Sequence, residues 1–176
     1  TEQSKDRESM IVSLDAEKAF DSIEHWYIRK VLNKIGLSSF IRTFDLLYKS
    51  QSVDIILNGN KAGKYQIRNG VKQGDALSCI LFILGVEPLL DNINADNSIS
   101  NVNVRGEPLP KIVAYADDIA CLIKPDTYTL QKIFQHYDNL TSVSGLKLNA
   151  DKTEIISMGG NASHEVSYNN LRVKID

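Results

Sequence analysis

Apolar positions along the chain form short runs and one-sided faces, each closed by turn residues. Residues 10–14 are an apolar run ending on Asp15, which predicts a buried strand. Asp21 and Ser22 are capping residues for a helix with the apolar face Trp26, Ile28, Val31, Leu32 and Ile35, and Gly36 is its stop. Residues 40–48 read as a second helix. Residues 53–57 and 65–67 flank Asn58-Gly59-Asn60, a turn signal, and predict a hairpin. Asp75 opens a strongly apolar helix through about Ile93, and residues 79–86 are apolar all round, so that stretch is expected to be buried.

A loop rich in Asn and Ser follows at 92–103. Residues 111–115 and 119–123 are β-prone runs separated by Ala116-Asp117-Asp118, a tight hairpin with acids at its tip. Asp126 or Thr127 caps a helix that runs to Ser144, with Gly145 at its end. Residues 146–148 and 154–158 are further strand candidates, and the polar stretch after Gly159 is expected to be loosely ordered. In order, these elements give an α+β fold, an antiparallel sheet with helices on one face. The ferredoxin-like split βαβ arrangement fits the order.

Composition narrows the class. Apolar residues make up 43% and charged residues 24% of 176, ordinary for a soluble globular protein. No signal-peptide core opens the chain and no apolar run is read as a membrane span, so an intracellular location, cytoplasm and nucleus, is expected. Cys79 and Cys121 lack paired spacing and are expected to be small buried residues rather than a disulfide or zinc site. Asn139 and Asn161 open glycosylation-type triplets that match by chance. The net charge of −2 is unusual for a stand-alone nucleic-acid binder. A local basic stretch, Lys61, Lys64, Arg68 and Lys72, is free of acids until Asp75.

Candidate chemistry lies in the acids. Asp15 closes an apolar strand, and Asp117 and Asp118 sit between two more. Charges embedded in core-forming sequence are costly unless paired or metal-bound. Adjacent strands of one sheet can bring Asp15 beside Asp117, and hard divalent cations with oxygen ligands would relieve the repulsion. Two Mg²⁺ ions about 3.5–4 Å apart clamp the attacking and leaving oxygens of a phosphoryl displacement. Taken alone, an Asp-Asp pair is more often a hairpin turn than a metal site; the flanking strands favour the metal, and spacing alone does not decide between the two.

Four segments carry a resemblance. Tyr115-Ala116-Asp117-Asp118 looks like the Y/F-A-D-D box of reverse transcriptases. Asp15-Ala16-Glu17-Lys18-Ala19-Phe20-Asp21 resembles the first box of the LINE family. Residues 69–78 are similar to its Q-G-x-P-L-S box, with Ala76 and Cys79 where prolines are usual, and residues 144–153 are similar to its S-G-L-x-x-N-x-x-K-T box. The four occur in family order over residues 10–158 and resemble the non-LTR, L1-like branch of retrotransposon reverse transcriptases.

The resemblance implies a polymerase palm over residues 1–158 with part of the fingers at 38–74, and a polar tail at 159–176 leading toward an absent thumb. It implies an RNA-directed DNA polymerase with two Mg²⁺ ions, Mn²⁺ being able to substitute. Asp15, Asp117 and Asp118 would be catalytic metal ligands, and the Ala16 carbonyl would complete the shell. Phe20 would be the gate that excludes a 2′-OH, Gln73 and Gly74 would line the nucleotide pocket, and Tyr115 and Lys72 would help place primer and template. Lys152 would protonate the leaving pyrophosphate. Implied partners are an RNA template, a DNA primer, dNTPs and the rest of a parent polypeptide (fingers, thumb and an endonuclease), with no membrane. The competing readings are an inactive or domesticated remnant that binds RNA or protein, and a small Mg²⁺-dependent phosphatase or cyclase sharing only the acids.

Overall fold

The computed structural model describes residues 9–158 and the backbone of residues 165–168 and 171–174. Its centre is a four-stranded antiparallel sheet in the order β6-β7-β1-β8, built from β1 (Ser9–Leu14), β6 (Ile112–Tyr115), β7 (Asp118–Ile123) and β8 (Glu154–Met158). With helices inserted between β1 and β6 and between β7 and β8, this is the ferredoxin-like split βαβ order. The α+β expectation is borne out.

Period-two alternation divides the sheet. Met10, Val12 and Leu14 of β1 are buried, as are Ile119, Cys121 and Ile123 of β7. They face α4 (Ala76–Ala95) and α5 (Thr127–Ser144), which pack against each other, while α2 (His25–Lys34) packs against both. The alternate positions, Ser13 on β1 and Ala120 on β7 among them, form the other, open face.

Several expectations are corrected. The helix expected to start at Asp21 and Ser22 is broken: a single turn, α1 (Ala19–Ser22), precedes α2, and Ser22 Oγ donates to the Glu17 carbonyl instead of capping. The break exists because Ile23 turns extended, where it is fully buried, and the Glu24 amide donates to the Ser144 carbonyl. The next helix, α3 (Ser38–Tyr48), starts two residues before the expected 40. Residues 146–148 contribute only one bridge, Leu148 opposite Ala16, rather than a strand. Residues 103–108 hold an unexpected small hairpin, β4 (Asn103–Val104) and β5 (Glu107–Pro108). Part of the expected loose tail pairs as β9 (Glu165–Tyr168) and β10 (Leu171–Lys174).

The apolar helix α4 is long and apolar enough, by length and composition, to cross a bilayer, contrary to the sequence expectation. Leu81, Phe82, Val86, Leu89 and Ile93 instead pack in the protein core. Its outward side differs from expectation, since Cys79, Ile80 and Ile83 are exposed. Cys121 is buried as expected, and burial pushes its thiol pKa up. At the C-terminal end of α4, buried Lys111 donates through Nζ to the Asn94 and Asp96 carbonyls, which satisfies helix-end acceptors that have no intrahelical donor.

Beneath the open end of the sheet, the Tyr137 hydroxyl of α5 is buried without a hydrogen-bond partner. Burial first, then the nearby Asp15 and Glu17 charges, raise its pKa. A buried orphan hydroxyl costs about 1–3 kcal/mol. Tyr137→Phe is therefore expected to raise unfolding stability by about 1 kcal/mol, read as a higher urea midpoint at unchanged slope.

Candidate active site

The acids are placed by strand register. Leu14 pairs with Ile119 in the last rung of the β1–β7 ladder, and Asp15 and Asp118 are the next residues on the two strands. Asp118 falls on the open face by alternation, beside Ala120, and Asp15 follows the last residue of β1. Like charges directly opposite one another destabilise a sheet.

Asp117 sits in the two-residue turn between β6 and β7 and is exposed, as is Asp118. The other turn residue, Ala116, has φ 55°. Lys18, following the first acidic box, has φ 47°. Such non-glycine residues are strained by about 1–3 kcal/mol, and they concentrate at functional sites.

The Ala16 carbonyl is aimed by its neighbours. The Asn149 amide donates to the Asp15 carbonyl, and the Glu17 amide donates to the Lys147 carbonyl, both toward the β8 side. Antiparallel alternation points the intervening Ala16 carbonyl away from that side. The segment 146–149 is thus the splint of the first acidic box. Lys152 is exposed in the turn before β8, and Thr153 beside it is anchored to the Asn149 carbonyl.

Among the described residues, no three acid, imidazole or thiol side chains converge into a ready metal cage. The donor set still fits a hard cation: three carboxylates and a carbonyl at one sheet end, all oxygen.

Phe20 is half-buried and stacks on Phe82 of α4, with ring centroids 4.8 Å apart at 28°. Its segment is stitched to the glycine-rich loop: the Val71 amide donates to the Phe20 carbonyl at 2.6 Å and the Gly70 amide to the Ile23 carbonyl at 2.8 Å. Gly70 has φ 84°, and an added Cβ would stand 2.8 Å from the Asp21 carbonyl oxygen. Gly70→Ala is accordingly expected to lower stability by about 2–3 kcal/mol, checked by chemical denaturation.

Lys72 and Gln73 line an open cleft of about 740 Å³ with Asp21, Gln51, Arg68 and Asn69. The cleft takes in part of the basic stretch, whereas Lys61 pairs with Asp54 on the β2 (Ser52–Leu57) and β3 (Asn60–Gln66) hairpin. Gly74 is exposed at φ 88°, and Tyr115 is 85% exposed at the end of β6. Asp15, Asp117 and Asp118 are not among the cleft's lining residues, so the predicted site residues form two groups: these acids with the Ala16 carbonyl, and the loop with Lys72 and Gln73.

Sequence reasoning missed His25. Buried on α2, it donates from Nε2 to the Gly70 carbonyl at 2.7 Å. The available signal was its spacing of three and seven from Ile28 and Leu32, which puts an imidazole on the apolar face.

A sheet of split βαβ order with paired acids at its open end is the architecture of a polymerase palm. The family model for "Reverse transcriptase (RNA-dependent DNA polymerase)" matches residues 1–173. The chain is 32% identical over 150 residues to the Pol polyprotein of the type-1 retrotransposable element R2 of Popillia japonica, covering 84% of this chain and 21% of the relative. It is 31% identical over 155 residues to that of the type-2 element R2DM of Drosophila melanogaster, covering 88% and 14%. The fold resembles telomerase from Candida tropicalis, solved with a fragment of telomeric RNA, at TM-score 0.67 and 12% identity, covering 92% of this chain and 28% of that one. The chain belongs to the reverse transcriptase family, and the expected non-LTR retrotransposon kinship is borne out by the R2 relatives. It spans about a fifth or less of the length of these two relatives.

Proposed function

We propose that this chain is the palm of an RNA-directed DNA polymerase that adds dNTPs to a primer 3′-OH on an RNA template during retrotransposition. What supports this reading is the register, whose last rung pairs Leu14 with Ile119 and leaves Asp15 and Asp118 as the next residues on neighbouring strands, with Asp117 in the adjoining turn. A binding remnant or a fold-only role has no need of that repulsive arrangement.

In the reaction the primer 3′-hydroxyl gives its proton to solvent as its oxygen bonds to the α-phosphorus. The bond to the β-phosphate oxygen breaks, and pyrophosphate leaves with the electron pair. Asp15, Asp117, Asp118 and the Ala16 carbonyl would hold two Mg²⁺ ions, Mn²⁺ being able to substitute, and these supply charge neutralisation at the transferring phosphoryl group. Phe20, braced by Phe82, would meet the sugar and reject a 2′-OH. Gln73 and Gly74 line the nucleotide, while Lys72 and Tyr115 bear on template and primer. Lys152 is assigned to give the leaving pyrophosphate its proton. The template is held through its backbone and A-form shape. The thumb and the remainder of the fingers belong to the rest of the parent polypeptide, which works in cytoplasm and nucleus.

The test is primer extension on an RNA template, using the longest natural polypeptide that contains this segment. Mg²⁺-dependent incorporation of dNTPs, and not rNTPs, is the expected result. No incorporation by a polypeptide with fingers and thumb would replace this reading by that of a binding remnant.

A further inference from the structure

The loop that carries Gln73 and Gly74 is anchored at both ends by one aromatic cluster. At its start, His25 Nε2 donates to the Gly70 carbonyl at 2.7 Å. At its end, the Tyr48 hydroxyl lies 3.4 Å from Ser78 Oγ, and both residues are buried. The His25 ring is held edge-on by Phe44 and Tyr48, at centroid distances of 5.7 and 5.6 Å, and those two rings stack on each other. Between the anchors, Lys72, Gln73 and Gly74 are exposed.

The same residue, Gly70, is tied to the gate segment. Its amide donates to the Ile23 carbonyl, and the next amide, Val71, donates to the Phe20 carbonyl. Gly70 therefore has its N–H bound to Ile23, just past the first box, and its C=O bound to His25. A carbonyl only accepts, so Nε2 carries the proton. Loss of that donor frees the carbonyl side of the Gly70–Val71 peptide and leaves a buried acceptor unpaired.

We propose that His25 is a positioning residue that sets the Gln73-Gly74 loop against the Phe20 gate and so governs discrimination between deoxyribose and ribose. This rests on the polymerase reading above. His25 is buried and acts through Gly70. A misplacement of about 1 Å in such a constellation costs on the order of 100-fold in rate.

The experiment compares His25→Leu, His25→Gln and Phe20→Ala with wild type, in the longest natural polypeptide, for kcat/KM with dNTP and rNTP on one primer and RNA template. Gln presents its amide N–H near the position of Nε2, and Leu presents none. His25→Leu is expected to lower the dNTP-over-rNTP ratio by about tenfold, chiefly through dNTP KM, while His25→Gln keeps most of it. Hydrogen exchange at the Val71 amide is expected to speed up in His25→Leu and not in His25→Gln. Should His25→Leu melt below assay temperature, His25→Asn, too short to reach Gly70, replaces it with the same expectation. The inference is overturned if Phe20→Ala relaxes discrimination but His25→Leu does not, or if Leu and Gln are equally impaired. Unchanged discrimination in Phe20→Ala would overturn the gate, and the inference with it.

Discussion

Asp117→Ala is expected to cut Mg²⁺-dependent dNTP incorporation by about a thousandfold, the loss of several kcal/mol of metal-borne charge stabilisation at about 1.4 kcal/mol per tenfold. Folding is expected to survive. Asp117 is exposed in a two-residue turn, and its removal relieves repulsion with Asp118 and Asp15 rather than opening the core. Primer extension gives the rate, and a thermal melt in chelator gives the stability. Wild-type extension by a correctly folded Asp117→Ala variant would remove the metal assignment. A variant both inactive and unfolded would show that the turn is structural.

Phe82→Ala is expected to cost about 3–5 kcal/mol of unfolding free energy, a large part of the ~5–15 kcal/mol typical of a domain. The ring is fully buried in α4, and its removal leaves a cavity under β1 and the Phe20 gate. The effect is read as a shift in urea midpoint. Phe82→Leu, which retains more volume, is expected to lose less. A cost below about 1 kcal/mol would mean that the site collapses around the missing ring. Any fall in ribose discrimination in Phe82→Leu reports on the brace that Phe82 gives Phe20.

Much of this architecture is written locally. The apolar run 10–14 and the two runs around Ala116-Asp117-Asp118 each became a strand, because period-two burial is a property of neighbours in the chain. Asp75 and Asp126 cap their helices as expected, accepting from the Leu77 and Thr129 amides. The four boxes also named a family that the comparisons bear out.

Other features depend on partners far along the chain. The helix expected from Asp21 breaks because Ile23 is needed in the core and the Glu24 amide pairs with Ser144. Residues 79–86 are apolar on every side, yet only the side facing β6, α2 and α5 is covered, so Ile80 and Ile83 stay exposed. His25 reads as one polar residue on an apolar face until Gly70, 45 positions away, arrives at its Nε2.

The strands, the helix caps, the acids at strand ends and the family were legible along the chain, since periodicity, capping and motif spacing act within a few residues. Long-range pairing in the fold brings the end of β1 to the start of β7, fastens segment 146–149 to the Asp15 carbonyl and the Glu17 amide, and carries Gly70 to His25. Those relations depend on which strands become neighbours and in what register. That choice is made by burying one face of the whole sheet at once, and no single segment encodes it.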